Sequence, residues 1–248
     1  MMMMIAAGLY HSLSLLADGT VRACGDNTYG QLGDGTMTDR ATPVTVAGLS
    51  GVQAIAAGAY HSLAMLGDGT LRAWGYNCNG QLGDGTTSPR SAPELVPGLS
   101  GVQAIAAGER HSLALLADGT VRAWGDNVNG QLGDGTETHR ITPVLVPGMC
   151  GVQSVAAGAW HSLALIADGT VWAWGYNAFG QLGCKRALGR SIYVQVSGLS
   201  GVQAVAAGGC HSLALLEDGT ARAWGYNFYG QLGDGTQTNR TTPVAVLG

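Results

Sequence analysis

The sequence repeats itself every 50 residues without an insertion or a deletion. The dipeptide His-Ser recurs at His11, His61, His111, His161 and His211. The stretch Gly-Gln-Leu-Gly-Asp-Gly-Thr recurs at residues 30–36, 80–86, 130–136 and 230–236. Such a period indicates an array in which each repeat stacks on its neighbours to bury its apolar residues. The sequence therefore predicts one domain, residues 1–248, with repeats at approximately 1–50, 51–100, 101–150, 151–200 and 201–248.

Each repeat is predicted to consist of four β-strands. In the second repeat, apolar runs at residues 52–57 and 61–66 are followed by the turn sequence Gly-Asp-Gly and by a third run at residues 71–75. This tripeptide favours a tight turn, because Gly accepts positive φ and Asp bonds its own backbone. Residues 93–96 give a fourth strand with Pro93 at its first position, where a missing N–H is tolerated. No segment shows a sustained helical period.

Four short strands in each repeat of about 50 residues are typical of a β-propeller blade. The predicted fold is all-β, a propeller of five four-stranded blades. The run at residues 243–246 is expected to pair, as the C-terminal strand, into the first blade and to close the ring, because closure removes exposed sheet edges. A chain that forms part of a larger array is the alternative.

The repeated pattern AAGxxHSLAL..DGTVRAWGxNxxGQLGDGTxTxRxTPVxV covers essentially the whole chain. It resembles the repeat of the regulator of chromosome condensation family. The resemblance implies a β-propeller, seven-bladed in most members, that binds proteins through one face of the ring. Members include a guanine nucleotide exchange factor for a small GTPase. This chain departs from the family in having five copies.

The recurring polar residues are interpreted as structural. A His in each repeat could suggest a ring of metal ligands, but no carboxylate or cysteine recurs beside it, so each His is expected to be buried and bonded to backbone. The glycine-rich stretch lacks the Gly-Lys-Ser/Thr ending and the following helix of a phosphate loop. Calcium binding is disfavoured because other acidic loop positions are missing around the recurring aspartates, which are Asp34, Asp84, Asp134 and Asp234. No metal and no cofactor is expected.

A recurring Gln-Leu pair and a recurring tryptophan are assigned to the packing within and between blades. Gln31 and Leu32, with their equivalents, are expected to pack against a neighbouring blade at the corner that every blade needs. The tryptophans are expected to be buried with the indole N–H bonded, and they are Trp74, Trp124, Trp174 and Trp224, with Cys24 in the first copy.

Function is expected where the copies differ, because variable loops on one face of a repeat array form its binding surface. The positions before His-Ser and after the recurring Asn vary most and carry aromatic and charged residues, the types that dominate protein interfaces. The residues predicted to bind a partner are Tyr10, Tyr29, Tyr60, Glu109, Arg110, Trp160, Phe179, Phe228 and Tyr229.

The composition argues against several other partners. Lys and Arg total 12 without forming a run, and the net charge is -4, so neither nucleic acid nor an anionic membrane is expected as a partner. No apolar run reaches the roughly 18–20 residues of a membrane-spanning helix, and the N-terminus does not resemble a signal peptide. A cytoplasmic monomer is expected by default.

The five cysteines fit neither a zinc site nor a disulfide framework and are predicted to be free thiols.

The sequence thus predicts a non-enzymatic module that binds a protein partner. No Ser/His/acid or Cys/His set stands apart from the repeat to support catalysis. The alternatives are an exchange factor acting on a small GTPase, although no repeat carries an inserted wedge, and a purely structural or designed array.

The fourth copy departs from the pattern at residues 184–196. Drift or a pair of compensating frameshifts is expected to account for the departure, and a functional basic contact through Lys185, Arg186 and Arg190 is the alternative. In either case this stretch is expected to be the least ordered corner.

Overall fold

The computed structural model describes residues 2–185 and 189–247, and every regular element in this part of the chain is a β-strand. Twenty strands form five four-stranded antiparallel sheets, one for each repeat. The first sheet contains β1 (Met2–Ala7), β2 (His11–Leu16), β3 (Val21–Gly25) and β4 (Arg40–Thr45). The second contains β5 (Val52–Ala57), β6 (His61–Leu66), β7 (Leu71–Gly75) and β8 (Arg90–Leu95).

The remaining sheets have the same layout. The third contains β9 (Val102–Ala107), β10 (His111–Leu116), β11 (Val121–Gly125) and β12 (Arg140–Leu145). The fourth contains β13 (Val152–Ala157), β14 (His161–Ile166), β15 (Val171–Gly175) and β16 (Arg190–Gln195). The fifth contains β17 (Val202–Ala207), β18 (His211–Leu216), β19 (Ala221–Gly225) and β20 (Arg240–Ala245). In every sheet the strands lie in sequence order, which gives five blades of the predicted type.

The chain divides into two compact units. Unit 1 comprises Met1–Ala117, Arg122–Asp126 and His139–Val144, and it contains the first two blades and most of the third. Unit 2 comprises the remaining segments, chiefly Leu145–Gly248, and it contains the fourth and fifth blades. The single-domain organisation stays a prediction.

The pairing of the fourth strand differs from the sequence prediction in two ways. The C-terminal strand β20 pairs with β19 of its own repeat, and strands β1 to β4 supply all four strands of the first blade. The prediction that the C-terminal strand pairs into the first blade is therefore wrong. The fourth strand also begins at Arg90 in the second repeat, three residues before Pro93. Gly75 pairs with Arg90 and Ala73 with Glu94 across an irregularity, so this outermost strand accommodates the proline within a bulge. Ring closure by five blades stays a prediction.

The turn between the second and third strands is the predicted one. Asp68 accepts hydrogen bonds from the N–H and the hydroxyl of Thr70, at 2.9 and 2.7 Å. Gly69 takes a φ of 76°, which only glycine adopts readily. This local chemistry fixes the register of each blade's central hairpin.

The core lies between consecutive blades. In unit 1, Leu13 and Leu15 of the first blade pack in one buried cluster with Ile55 and Trp74 of the second. Unit 2 repeats this arrangement between its fourth and fifth blades. Within the described residues, no helix is long and apolar enough to cross a membrane. The five cysteines, all within the described residues, form no disulfide bond.

Candidate functional site

A buried asparagine organises the glycine-rich corner of each repeat. In the first repeat, the side-chain oxygen of Asn27 accepts the N–H of Leu32 at 2.9 Å, and its amide donates to Asp34 at 3.2 Å. The Asp34 carboxylate also accepts hydrogen bonds from the Thr36 hydroxyl at 2.6 Å and from Arg40 at 2.8 Å. Burial acts to raise the pKa of Asp34, but these hydrogen bonds hold it below the usual value. The loop's own donors therefore satisfy this carboxylate.

The corner also links one blade to the next. The main-chain carbonyl of Gln31 accepts hydrogen bonds from the Ser62 hydroxyl and from the Trp74 indole, both at 2.9 Å. Leu32 is fully buried in the same cluster as Trp74. The predicted roles of the Gln-Leu pair and of the tryptophan are confirmed.

The recurring histidine is buried, as predicted, but its partner differs from the prediction. The His11 Nε2 lies 2.9 Å from the Ser62 hydroxyl of the following blade, and His61 stands in the same relation to Ser112. The ring thus bonds a side chain of the next repeat rather than backbone. Burial lowers the pKa of His11 to about 4 and that of His61 to about 3, so both rings are neutral at pH 7. In the described residues, no group of three or more His, Cys, Asp or Glu is placed to hold a metal ion.

The variable loops of unit 1 bring four tyrosines together, and we call Tyr10, Tyr29, Tyr60 and Tyr76 the tyrosine cluster. Ring centroids are 4.7 Å apart for Tyr29 and Tyr76, 5.7 Å for Tyr29 and Tyr60, and 6.2 Å for Tyr10 and Tyr60. Two loops of a blade meet here, because Tyr76 donates its N–H to the Tyr60 carbonyl at 2.9 Å. Tyr10 remains 63% exposed. The cluster is a contiguous aromatic surface.

Charged groups border the tyrosine cluster. The Arg110 guanidinium lies over the Tyr76 ring, 5.9 Å from its centroid, and 3.5 Å from Glu109. Burial raises the pKa of Tyr60, with further contributions from neighbouring rings and from the negative charges of Asp26 and Glu109. Asp26 in turn accepts hydrogen bonds from Thr28 and Gln31. A cation–π contact and carboxylates thus stand at one surface.

Unit 2 carries a second aromatic surface of different character. Trp160 contacts Tyr176 at 5.6 Å, Tyr176 contacts Phe179 at 6.0 Å, and Phe179 contacts Tyr226 at 4.8 Å. This second surface, which we call the aromatic row, is completed by the exposed rings of Phe228 and Tyr229. Position 26 of the repeat is Asp in the first copy but Tyr at residues 176 and 226, so the aromatic row lacks that carboxylate.

The structure places every residue predicted to bind a partner in one of these two surfaces. Tyr10, Tyr29, Tyr60, Glu109 and Arg110 lie in or beside the tyrosine cluster, and the others belong to the aromatic row. Sequence reasoning missed three members, Tyr76, Tyr176 and Tyr226. Each precedes the recurring Asn, and the exchange of Asp for Tyr at that position in three of the five copies was the available signal. Of the three residues in the alternative basic contact, Arg186 lies outside the described residues.

Comparison with known proteins identifies the repeat. A family model described as the regulator of chromosome condensation (RCC1) repeat matches residues 18–65, 68–115, 118–165, 168–215 and 218–248. A second model with the same description matches residues 52–81, 102–131, 152–181 and 202–231. No curated protein sequence matches the chain.

Solved structures with the same fold include relatives from human and yeast. Human WBSCR16 is 26% identical, with a TM-score of 0.89, over 100% of this chain and 67% of that chain. Prp20 from Saccharomyces cerevisiae is 23% identical, with a TM-score of 0.64, over 100% of this chain and 77% of that chain. A complex of yeast RCC1 (Prp20) with Kap60 is 22% identical, with a TM-score of 0.65, over 100% and 75%. The likeness to the two yeast structures concerns the fold alone.

Proposed function

The chain belongs to the regulator of chromosome condensation (RCC1) repeat family, and on that premise we propose that it is a non-enzymatic module that binds a protein partner through the tyrosine cluster of unit 1. The observation that carries the proposal is the contiguity of four tyrosine rings contributed by two different blades. Tyr and Arg are, with Trp, the residue types most enriched at interface hot spots, because they offer large contact areas with a polar end.

The chemistry around the cluster favours a cationic segment of the partner. Asp26 and Glu109 place negative charge beside the rings, and tyrosine faces attract guanidinium and ammonium groups. Arg110 already makes such a contact with Tyr76 from within the chain. Asp39 stands close to Asp26 and adds a third carboxylate. A partner Arg or Lys would meet both aromatic faces and carboxylates here.

Relatives of the same fold supply a second line of support. One yeast Prp20 structure contains the protein Kap60, and Prp20 itself has binding properties towards Gsp1p and histones. Those interactions belong to Prp20. They support a protein, rather than a small molecule, as the class of partner for this chain.

The test is an affinity capture from a lysate of the source organism, with bound proteins identified by mass spectrometry. The wild-type chain is compared with a variant in which Tyr10, Tyr29 and Tyr60 are changed to alanine. The matched control changes Trp160, Phe228 and Tyr229 to alanine, which removes aromatic area from the other surface. We expect the tyrosine variant to lose the partner and the control to keep it, when thermal unfolding shows that both remain folded.

Charge dependence provides the second readout. Asp26→Asn and Asp39→Asn together should weaken binding of the captured partner about tenfold, and added salt should weaken the wild-type complex. A captured GTPase whose nucleotide release is accelerated would favour an exchange factor. Failure of the wild type to retain any specific protein would favour a purely structural array. Retention by the tyrosine variant would refute the assigned surface.

A further inference from the structure

A pocket of about 220 Å³ lies within unit 2, on the blade of the fourth repeat. Three parts of the chain form it: the connection that leads into β13, the turn between β14 and β15, and facing residues of β15 and β16. None of its lining residues belongs to the tyrosine cluster or to the aromatic row. We call it the fourth-blade pocket.

The walls of the fourth-blade pocket are the positions at which the fourth repeat differs from the others. Where the other copies carry Leu, Ser, Leu, Arg and Pro, the lining residues are Met149, Cys150, Ile166, Trp172 and Tyr193. The two remaining lining residues, Gly148 and Asp168, are the same in every copy that has the position. Only Tyr193 lies in the irregular stretch 184–196. A change confined to that stretch therefore does not account for the pocket.

Two aromatic rings form adjoining walls at nearly a right angle. The ring centroids of Trp172 and Tyr193 are 5.2 Å apart, and their planes make an angle of 83°. Because Trp172 pairs with Gln195 of the neighbouring strand, Tyr193 is its diagonal neighbour on the same face of the sheet. The Tyr193 hydroxyl lies 2.9 Å from the point where a Cβ of Gly148 would stand, whereas the equivalent Gly98 has nothing within 4 Å. Tyr193 thus closes one side of the pocket.

A carboxylate without a neighbouring cation completes the pocket. In the second repeat, hydrogen bonds from the turn threonine lower the pKa of Asp68, and the positive charge of Arg72 lowers it further. In the fourth repeat Trp172 replaces that arginine, so Asp168 keeps the hydrogen bonds from Thr170 but loses the neighbouring charge. Asp168 is exposed, and no cation among the described residues contributes to its pKa. The pocket therefore presents an ionised carboxylate beside two aromatic faces.

We propose that the fourth-blade pocket binds a methylated ammonium group, as in choline or a trimethylated lysine side chain. Trp and Tyr rings attract a cation that lies over their faces, and two rings at a right angle offer it both faces at once. The Asp168 carboxylate supplies the opposite charge. The cavity is smaller than the pockets that hold drug-sized molecules, which suits so small a group. The inference goes beyond the proposed function, because it concerns another ligand at another surface.

The apolar walls favour a methylated cation over a plain ammonium group. A plain ammonium group would give up hydrogen bonds to water, and the side chains of Met149, Ile166 and Trp172 offer no oxygen to replace them. A quaternary ammonium group has no N–H to satisfy, and its methyl groups gain by leaving water for apolar contacts. The composition of the walls therefore selects the methylated form.

A titration with choline, followed by the nuclear magnetic resonance signal of its methyl groups, tests the proposal. We expect saturable binding that is about tenfold or more tighter than that of dimethylbutanol, an alcohol of the same shape in which a carbon atom replaces the nitrogen. A trimethyllysine peptide and its unmethylated form serve as further ligands. Tighter binding of the methylated peptide than of choline would identify a protein side chain as the source, and the reverse would identify a free amine. Equal binding of choline and dimethylbutanol would overturn the proposal.

Variants that restore the residues of the other repeats keep the test independent of folding. Trp172→Arg and Tyr193→Pro each install the residue that the other four copies carry, so the blade should remain folded, as circular dichroism would show. Each should weaken choline binding about tenfold or more, because each removes one aromatic wall. The matched control changes Tyr10 and Tyr60 to alanine in the tyrosine cluster and should leave choline binding unchanged. Choline binding that survives both restored variants, or that is lost in the control, would overturn the proposal.

Discussion

The indole Nε1 of Trp74 donates a hydrogen bond of 2.9 Å to the main-chain carbonyl of Gln31, 43 residues earlier in the chain. The same bond joins Trp124 to Gln81, Trp174 to Gln131 and Trp224 to Gln181. The glycine-rich corner of one repeat and the strand tryptophan of the next thus form one contact between blades. The corner recurs because each blade binds the following blade through it.

Trp74→Phe should lower the free energy of unfolding by about 1–3 kcal/mol, because it removes this buried hydrogen bond and leaves a gap. The Ser62 bond to the same carbonyl keeps the loss from being larger. Urea unfolding measures the change. Trp172→Phe is the control, since Trp172 is only half-buried and bonds the half-buried Thr170 at the long distance of 3.3 Å; an equal loss there would contradict the assigned role.

The buried histidines should make stability fall as the pH is lowered below about 6.5. Burial lowers the pKa of His61 and His111 to about 3, whereas an unfolded histidine has a pKa near 6.5. The unfolded chain therefore takes up protons first, so each histidine contributes stability above pH 6.5 that is lost towards its folded pKa. The slope is about 1.4 kcal/mol per pH unit for each proton.

Urea unfolding at several pH values between 5 and 6.5 isolates this effect, because Asp34 and Asp84, whose pKa values are lowered below 3.8, remain ionised there. His61→Asn should be less stable at pH 7 but should show a shallower slope. An unchanged slope in this variant would mean that another group carries the pH dependence.

A single substitution in the irregular corner of the fourth repeat should restore an ion pair that the other repeats have and so raise stability. In other repeats a corner aspartate binds an arginine, as in the 2.8 Å contact of Asp84 with Arg90. Cys184 replaces that aspartate, and the buried Nε of Arg190 has no hydrogen-bond partner among the described residues. Cys184→Asp should restore the pair and raise the free energy of unfolding by about 1 kcal/mol. Thermal unfolding measures the gain.

The reverse exchange in the second repeat, Asp84→Cys, is the matched variant and should lower stability by about 1–3 kcal/mol. It removes the bonds to Thr86 as well as to Arg90. If both variants shifted the unfolding temperature in the same direction, the pairing of this corner with its arginine would not explain the difference.

Gly58 should tolerate no side chain. A Cβ there would overlap the His61 ring and crowd the Gly108 carbonyl of the next blade at 2.5 Å. Gly58→Ala should destabilise the chain by roughly 2 kcal/mol or more, because backbone cannot yield as a flexible side chain can. Gly209→Ala, where nothing lies within 4 Å, should be neutral or slightly stabilising. Circular dichroism during thermal unfolding compares them; similar losses would contradict the packing argument.

Three of the four strands in the second repeat could be predicted to the residue, because their signals are local. Apolar runs and the Asp68 turn specify β5, β6 and β7 without reference to distant parts of the chain. The start of β8 could not be predicted, since it depends on the pairing of Arg90 with Gly75 across an irregularity. The grouping of strands into blades was also open, because a periodic sequence looks the same from any starting strand.

The residues of the candidate site likewise fall into those that could be predicted from the sequence and those that could not. Residues such as Tyr10 and Tyr60 could be found because they vary where the repeat is otherwise constant. Tyr76 was missed because only the folded chain brings the end of its strand beside the Tyr29 ring. The partner of His11 was missed for a similar reason, since Ser62 lies 51 residues away and belongs to the following blade.

Strand β18 of the fifth blade is less buried than its equivalent β14, and this difference has a consequence for the order in which the chain loses its protection from solvent. Stability in a stacked array is a sum of terms within repeats and between neighbours, so a strand that is less buried makes fewer stabilising contacts with its neighbours. Amide hydrogens of β18 should therefore exchange with deuterium faster than those of β14, although the two strands differ by a single residue, Leu216 in place of Ile166. Two nearly identical strands would then keep their amide hydrogens for different times, according to their burial in the array.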